Sequence, residues 1–153
     1  MISLIAAVDE NWGIGYNNKL LTSIPEDMWH CKDLTTGKIG VMGRKTWDIF
    51  PVRPLACRQF VVVTSSTGPD DLAFYANLDT VKNWLTTTQR DICIIGGGII
   101  YKELLPYCDT AYITKIFHKF ENVDTYCPNL DLDPAWKLVE TSDIGVAANS
   151  LQY

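Results

Sequence analysis

The segment VMGRKTW, residues 41–47, places a glycine, two basic residues and a hydroxyl where a predicted strand meets a predicted helix. Gly43 would let a phosphate approach the backbone, the helix would supply free N–H groups, and the Arg44 guanidinium could bind the anion with two hydrogen bonds. The upstream glycines of a Walker A loop are missing. The segment is either a phosphate-binding joint or a solvated basic helix start, and these residues alone slightly favour the second.

A triple glycine follows another apolar run, in ICIIGGGIIYKELLP, residues 92–106. Tyr101 stands where the last glycine of G-x-G-x-x-G would be, and no acid follows at the expected distance, so this is not a dinucleotide-binding fingerprint. A plain turn needs one glycine. Three in succession therefore indicate unusual backbone dihedral angles or close approach of a ligand, and favour a turn that faces a ligand.

An acidic residue lies inside a third segment, LTSIPEDMWHCKDL, residues 21–34. On a helix, Asp27 would sit at the edge of an otherwise apolar face formed by Met28, Cys31 and Leu34. A carboxylate there is either a partner of the helix dipole in solvent or a deliberately half-buried acid. The residues alone favour the first interpretation.

Apolar, β-branched runs alternate with helical segments along the chain. The predicted strands, which look buried on both faces, are Ile2–Val8, Ile39–Met42, Phe60–Thr64, Ile92–Ile95 and Ala111–Phe117. The predicted helices are Pro25–Leu34, Arg44–Phe50, Leu78–Thr87 and Ile99–Leu105. This alternation predicts an α/β fold with a mostly parallel sheet, whose ligands bind at the carboxyl ends of the strands. After Ala111 no helix is evident, which predicts antiparallel strands added at one end of the sheet.

Composition restricts the class of protein further. The 153 residues, 47% apolar and 20% charged, are typical of one globular domain spanning residues 1–153. A net charge of −5 without a basic run argues against nucleic-acid binding. Five cysteines, an odd number without a CxxC pair, and only two histidines argue against a disulfide framework and a metal site. The apolar run Ile2–Val8 is too short for a signal peptide or membrane span, so a soluble cytoplasmic protein is expected.

Taken in this order, the segments resemble those of the dihydrofolate reductases, from Met1 to about Pro128. The matching fragments are ISLIAAVDENWGIG, IPEDMWHCKDLTTGK, VMGRKTW, RPLACR, VVVTSS, IIGGGIIYKELLP, YITKI and VDTYCP. The resemblance implies an α/β dihydrofolate-reductase-like fold: a central, mostly parallel twisted sheet of the eight-stranded type with antiparallel C-terminal strands, flanked by about four helices. It also implies NADPH as cofactor and dihydrofolate as substrate, with hydride transfer to C6 of the pterin and protonation at N5.

The resemblance assigns roles to individual residues. For catalysis it implies Asp27 in the pterin pocket, with Thr114 as its hydroxyl neighbour, and Thr22 in the loop Gly15–Ile24 that closes over the nicotinamide. Arg58 would hold the glutamate carboxylate of the substrate. The full set implied to bind substrate is Ile5, Ala6, Met28, Cys31, Phe50, Leu55, Arg58, Ile95 and Tyr101. The set implied to bind the cofactor is Ala7, Ile14, Gly15, Leu20, Gly43, Arg44, Lys45, Thr46, Thr64, Ser65, Ile95, Gly96, Gly97, Gly98, Ile99 and Tyr101. Gly96 and Gly97 match a pair joined by a cis peptide bond.

Several positions depart from the pattern of that family. Thr22 replaces a tryptophan of the closing loop, Cys31 replaces an aromatic residue that packs on the substrate, and Ile99 replaces a basic residue beside the pyrophosphate. An active enzyme with a loosely closing loop is expected. The departures also motivate an alternative, a folate- and NADPH-binding or structural relative with weakened turnover. A reductase of a pyrimidine ribityl precursor is a third hypothesis, against which Asp27 argues.

The expected partners are small molecules. Besides the substrate, antifolates such as methotrexate or trimethoprim should bind, and neither nucleic acid nor a membrane is expected as a partner. A monomer is expected.

Overall fold

The computed structural model describes residues 1–17, 19–21, 31–49, 59–65, 73–146 and 151–153. The strands, numbered along the chain, are β1 Ile2–Val8, β2 Gly13–Tyr16, β3 Lys19–Leu20, β4 Ile39–Gly43, β5 Gln59–Val63, β6 Phe74–Ala76, β7 Ile92–Gly96, β8 Thr110–Lys115 and β9 Thr125–Tyr126. The helices are α1 at residues 31–35, α2 Arg44–Ile49, α3 Leu78–Thr87 and α4 Gly98–Leu104. Single 3₁₀ turns cover Leu105–Tyr107 and Leu130–Leu132.

Six strands of the described residues form a parallel sheet in the order β6-β5-β4-β7-β1-β8. The chain returns to the same end of the sheet between successive strands, partly through α2, α3 and α4, as parallel pairing requires. The five predicted strands are confirmed to within two residues at each end. Strand β6 was missed.

The central strands are apolar because both of their faces are covered. Leu4 and Val8 of β1, Val41 of β4, and Ile92 and Ile94 of β7 are fully buried or nearly so, and they belong to one continuous core. The prediction of two buried faces was wrong for β8. That strand lies at the edge of the sheet, and its residues are only half-buried up to the exposed Lys115.

The helices begin and end close to their predicted bounds. Helix α3 has the predicted range; the Asn77 Oδ1 atom caps it by accepting the Thr80 N–H at 2.8 Å, and Val81 and Leu85 face the core. Residues 31–34 of the predicted helix Pro25–Leu34 are helical, and its earlier part lies outside the described residues.

The antiparallel pairing is found in a separate small sheet of order β3-β2-β9. The stretch after Ala111 was predicted to add antiparallel strands to one end of the main sheet. In the described residues it adds β8 in parallel, contributes β9 to the small sheet, and makes one antiparallel bridge between Val146 and Gln152. The described part of the main sheet has six strands rather than the implied eight.

In the part of the chain that the structure describes, no helix is both long and apolar enough to span a membrane.

Candidate active site

The carboxyl ends of the parallel strands bring distant predicted site residues to one edge of the sheet. Gly43 at the end of β4 pairs with Val63 of β5, and Met42 pairs with Gly96 of β7. Strand β1 lies on the other side of β7, and near its carboxyl end Ala7 pairs with Thr114 of β8.

Ala7 marks where this edge opens into a cleft. It belongs to a strand with a hydrogen-bonded neighbour on each side, yet it is exposed, whereas Ile5 and Ala6 just before it are 7% and 6% exposed. Ile95 on the neighbouring strand is half-buried. An exposed small residue in the interior of a sheet indicates that no side chain of the described residues covers this part of the face.

Tyr101 fixes the floor of the cleft at the joint between β7 and α4. Its side chain is 4% exposed, and its Oη atom lies 2.6 Å from the carbonyl oxygen of Ile5 and 2.5 Å from that of Ile95. The single phenolic proton can be donated to only one carbonyl at a time. Burial raises the pKa of the Tyr101 phenol well above its usual range, so the hydroxyl remains a donor. Tyr101 therefore ties two neighbouring strands together beneath the site.

The triple glycine shapes the same joint. The peptide bond between Gly96 and Gly97 is cis, as the resemblance implied, and Gly96 has a φ of +138°. A Cβ atom at Gly97 would lie 3.3 Å from the Thr46 Oγ1 atom, and one at Gly98 would lie 2.9 Å from the carbonyl oxygen of Tyr126. The glycines thus let this turn approach α2 on one side and β9 on the other. Ile99, which follows them, is 75% exposed.

The basic residues lie at the neighbouring joint between β4 and α2. The Arg44 Nε atom is 3.1 Å from Oδ1 and 3.2 Å from Oδ2 of Asp48, and the guanidinium lies 5.7 Å from the centre of the Tyr75 ring. Asp48 engages only Nε, so the terminal nitrogens of Arg44 have no hydrogen-bond partner among the described residues. Lys45 is exposed and Thr46 is half-buried.

Thr64 and Ser65 follow the end of β5, next to this basic joint. The Thr64 N–H donates to the carbonyl oxygen of Ala76 at 2.9 Å, which extends the pairing of β5 with β6 by one residue. Ser65 is exposed. Because Gly43 pairs with Val63, these two hydroxyl residues follow the strand next to the one that leads into Arg44.

The small sheet carries the remaining predicted cofactor residues, Ile14, Gly15 and Leu20. Gly15 pairs with Leu20 on one side and Thr125 on the other, and Leu20 is 60% exposed. Ile14 is half-buried and packs against the main core.

Asp124 holds the far end of β2 and was not singled out from the sequence. Its Oδ2 atom accepts the Asn17 N–H at 3.0 Å, and its Oδ1 atom accepts the Thr125 hydroxyl at 2.9 Å. The Asn17 N–H and the Thr125 hydroxyl lower the pKa of the Asp124 carboxyl. An acid next to a threonine in VDTYCP was visible in the sequence, but nothing local showed that its partner would be 107 residues away.

Six predicted residues lie outside the described part of the chain: Thr22, Asp27, Met28, Phe50, Leu55 and Arg58. Cys31, the first described residue of α1, is half-buried.

Comparison with known proteins identifies relatives for nearly the whole chain. The family model described as dihydrofolate reductase matches residues 1–152. A dihydrofolate reductase from Bacillus subtilis is 39% identical over 143 residues, which cover 92% of this chain and 83% of the relative. One from Buchnera aphidicola is 38% identical over 138 residues, covering 89% and 84%.

A solved structure agrees with these matches. The dihydrofolate reductase from Enterococcus faecalis, complexed with NADP(H) and RAB-propyl, superposes with a TM-score of 0.82 at 29% identity and covers 99% of this chain and 94% of that one.

Proposed function

The chain belongs to the dihydrofolate reductase family, and from this premise we propose how its own residues divide the work of the reaction. The protein is an NADPH-dependent oxidoreductase that reduces 7,8-dihydrofolate to 5,6,7,8-tetrahydrofolate. The observation that carries the assignment of roles is the cleft at Ala7, because the two strand–helix joints and Thr114 all lie along the same edge of the sheet.

The residues along this edge fit NADPH. At Gly97 a Cβ atom would reach within 3.3 Å of the Thr46 hydroxyl, so the glycine leaves backbone accessible between the two joints. A guanidinium, an ammonium and hydroxyl groups lie beside it, which is the donor chemistry that phosphates require. When bound, NADPH supplies the hydride.

We assign the phosphate-bearing end of the cofactor to the joint between β4 and α2. Arg44 would bind a phosphate through its terminal nitrogens, since Asp48 engages only Nε. Lys45 adds a second positive charge, and Thr46, Thr64 and Ser65 add hydroxyl donors. A 2′-phosphate at this joint would explain a preference for NADPH over NADH.

The nicotinamide end is assigned to the cleft itself. Ala7 and Ile95 would form its floor, and Gly96–Gly98 would allow the backbone to approach the ring. Ile14, Gly15 and Leu20 would cover it from the small sheet. Tyr101 contributes from below, because its hydroxyl fixes the carbonyl groups of Ile5 and Ile95 at the floor of the cleft.

The pterin is assigned to the same cleft on the side of β8. Asp27 would hydrogen-bond the amino group and ring nitrogen of the pterin, and Thr114 would be its neighbour, reaching the site from its position beside Ala7. Proton delivery to N5 would pass through water, with the Thr22 hydroxyl able to hold it. Ile5, Ala6, Met28, Cys31, Phe50 and Leu55 would contact the substrate, and Arg58 would bind its carboxylate.

We further propose a cytoplasmic monomer that binds antifolates in the pterin site. Among the described residues, Cys108 and Cys127 are free thiols, which suits a reducing compartment. A monomer suffices because the described cleft is built from one chain.

The test is NADPH consumption followed by absorbance, with and without dihydrofolate. Consumption that requires dihydrofolate and is inhibited by methotrexate is expected. If NADPH and methotrexate bind but no turnover occurs, the protein is instead a binding relative that has lost activity.

A further inference from the structure

Asp9, the first residue after β1, is a buried carboxylate that has no role in the proposed function. Its side chain is 2% exposed. The Oδ1 atom accepts the N–H groups of Asn11 at 2.9 Å and Gly13 at 2.8 Å, and the Oδ2 atom accepts the Phe120 N–H at 3.3 Å. These three charge-assisted hydrogen bonds offset the cost of burying the carboxylate.

The two carboxylate oxygens serve different segments. Oδ1 closes the turn between β1 and β2, which the Trp12 N–H also closes by donating to the Asp9 carbonyl at 3.0 Å. Oδ2 reaches across to Phe120, in the segment between β8 and β9 that runs from 116 to 124. The turn needs only Oδ1, so the second oxygen links β2 to a separate part of the chain.

The start of β2 packs closely against both Asp9 and the 116–124 segment. A Cβ atom at Gly13 would lie 2.6 Å from the Val123 Cγ1 atom and 3.0 Å from the Asp9 Oδ1 atom. The backbone of Gly13 is therefore enclosed between Asp9 and the 116–124 segment. The Glu10 N–H, which donates to the His118 carbonyl at 3.0 Å, adds a further link between the same two segments.

The far end of β2 is held by the same segment, through Asp124 and the Asn17 N–H. Strand β2 is thus attached at both ends: by the buried Asp9 at its start and by the exposed Asp124 at its end. The residues between these attachments, Ile14 and Gly15, are the ones that would cover the nicotinamide.

We propose that Asp9 is a positioning residue for cofactor binding, which fixes β2 against the 116–124 segment so that Ile14 and Gly15 face the cleft. The inference rests on the proposed role of those two residues at the nicotinamide. Asp9 acts through β2 and does not itself contact the cofactor.

Asp9→Asn distinguishes the hydrogen bonds that the two carboxylate oxygens accept. The amide oxygen can still accept from Asn11 and Gly13, whereas the amide nitrogen cannot accept from Phe120. The loss of this hydrogen bond, and of the charge that strengthens the other two, should raise the dissociation constants of NADPH and NADH alike by about 10-fold, and leave that of methotrexate unchanged. Equal loss for both cofactors is expected because the nicotinamide end is common to them.

Asp131→Asn is the matched control. Asp131 is exposed and pairs with Lys115, whose ammonium lies 5.3 Å from the Trp12 ring centre, so it supports the same corner from outside. This variant should leave both cofactor dissociation constants within about 2-fold of wild type, since exposed ion pairs contribute little. A lower melting temperature for Asp9→Asn with unchanged cofactor affinity, measured well below melting, would show that Asp9 only stabilises the fold and would overturn the proposal.

Amide hydrogen exchange of the wild-type protein gives a second test if Asp9→Asn does not fold. NADPH should slow the exchange of the Gly13 and Phe120 amides together, because both donate to one carboxylate. Protection that does not change at either amide on cofactor binding would overturn the proposal. A wild-type protein that fails to oxidise NADPH with dihydrofolate would instead refute the proposed function, whereas these tests are judged on cofactor binding alone.

Discussion

Two neighbouring strand–helix joints show two ways of building a binding surface. Strands β4 and β7 are hydrogen-bonded neighbours, and each ends in a glycine. A short helix follows directly after β4 and, after the single residue Gly97, also after β7. The first continues with Arg44, Lys45 and Thr46. The second continues with two more glycines and the exposed Ile99.

The first joint would recognise a ligand through charged side chains, and the second through the shape of its backbone. The joint after β4 offers a guanidinium and an ammonium, which distinguish ligands by their phosphates. The joint after β7 has no ionisable side chain in its turn, and its form depends on backbone conformation and on the buried Tyr101 beneath it. Changes at the first joint should therefore alter selectivity, and changes at the second should alter stability and the affinity for any cofactor.

The largest effect is expected for Gly96→Ala. A φ of +138° is strained for any residue with a side chain, and the new methyl group would lie 3.2 Å from the Tyr101 Oη atom. The free energy of unfolding should fall by about 3 kcal/mol, measured by urea denaturation. Gly37→Ala is the control, because Gly37 has a φ of +75° but nothing within 4 Å of the added carbon, and it should cost only about 1 kcal/mol. Equal losses would mean that the Tyr101 contact is unimportant.

Tyr101→Phe should cost about 2 kcal/mol at neutral pH, because it removes the buried hydrogen bond that the phenol donates to a strand carbonyl group. It should also change the dependence of stability on pH. Burial raises the pKa of the phenol above that of the unfolded chain, about 10, so its stabilising contribution is full below that pH and declines as pH rises above it. Urea denaturation across alkaline pH should show wild type losing stability more steeply than the variant. Parallel curves would rule out the buried phenol as the cause.

Gly97→Ala tests shape at the cleft without a strained backbone, since its φ is −82°. The methyl group would occupy the space beside the Thr46 hydroxyl. We expect the dissociation constants of NADPH and NADH to rise together by about 5-fold, or about 1 kcal/mol, in fluorescence titrations. A loss confined to NADPH would assign this glycine to the phosphate site instead.

The smallest effect is expected for Asp48→Asn. The pair with Arg44 joins consecutive turns of α2 and is partly exposed, so its removal should lower the free energy of unfolding by about 0.4 kcal/mol. Cofactor titrations should show slightly tighter NADPH binding, because a negative charge beside the proposed phosphate site is removed. Weaker NADPH binding would show that Asp48 orients Arg44 rather than competes with the phosphate.

Features that depend on local pattern were predictable from the sequence. Strands β1 and β7 were found because each is a continuous apolar run, and α3 because its apolar residues recur at helical spacing. Strands β2, β3 and β9 were missed, since they are short and contain glycines or polar residues. The resemblance to a known family supplied most residues of the proposed site, and it also implied the cis peptide bond after Gly96 that the structure shows.

Long-range contacts of single side chains could not be predicted in this way. One of the three N–H groups that donate to the Asp9 carboxylate belongs to Phe120, which is 111 residues away in sequence. Only the folded chain brings these groups together. Tyr101 was predicted at the site as a ligand contact. Its hydroxyl also lies within hydrogen-bond distance of two strand carbonyl groups, a contact that the sequence did not predict.

The most direct test of charge against shape is the effect of Arg44→Ala on the dissociation constants of NADPH and NADH. The account predicts that the variant binds NADPH about 10-fold more weakly, or about 1.4 kcal/mol, as expected for a lost charge-assisted contact to a phosphate, while its affinity for NADH stays unchanged. An equal loss for both cofactors would contradict it, because Arg44 would then serve the fold or a phosphate that the two cofactors share.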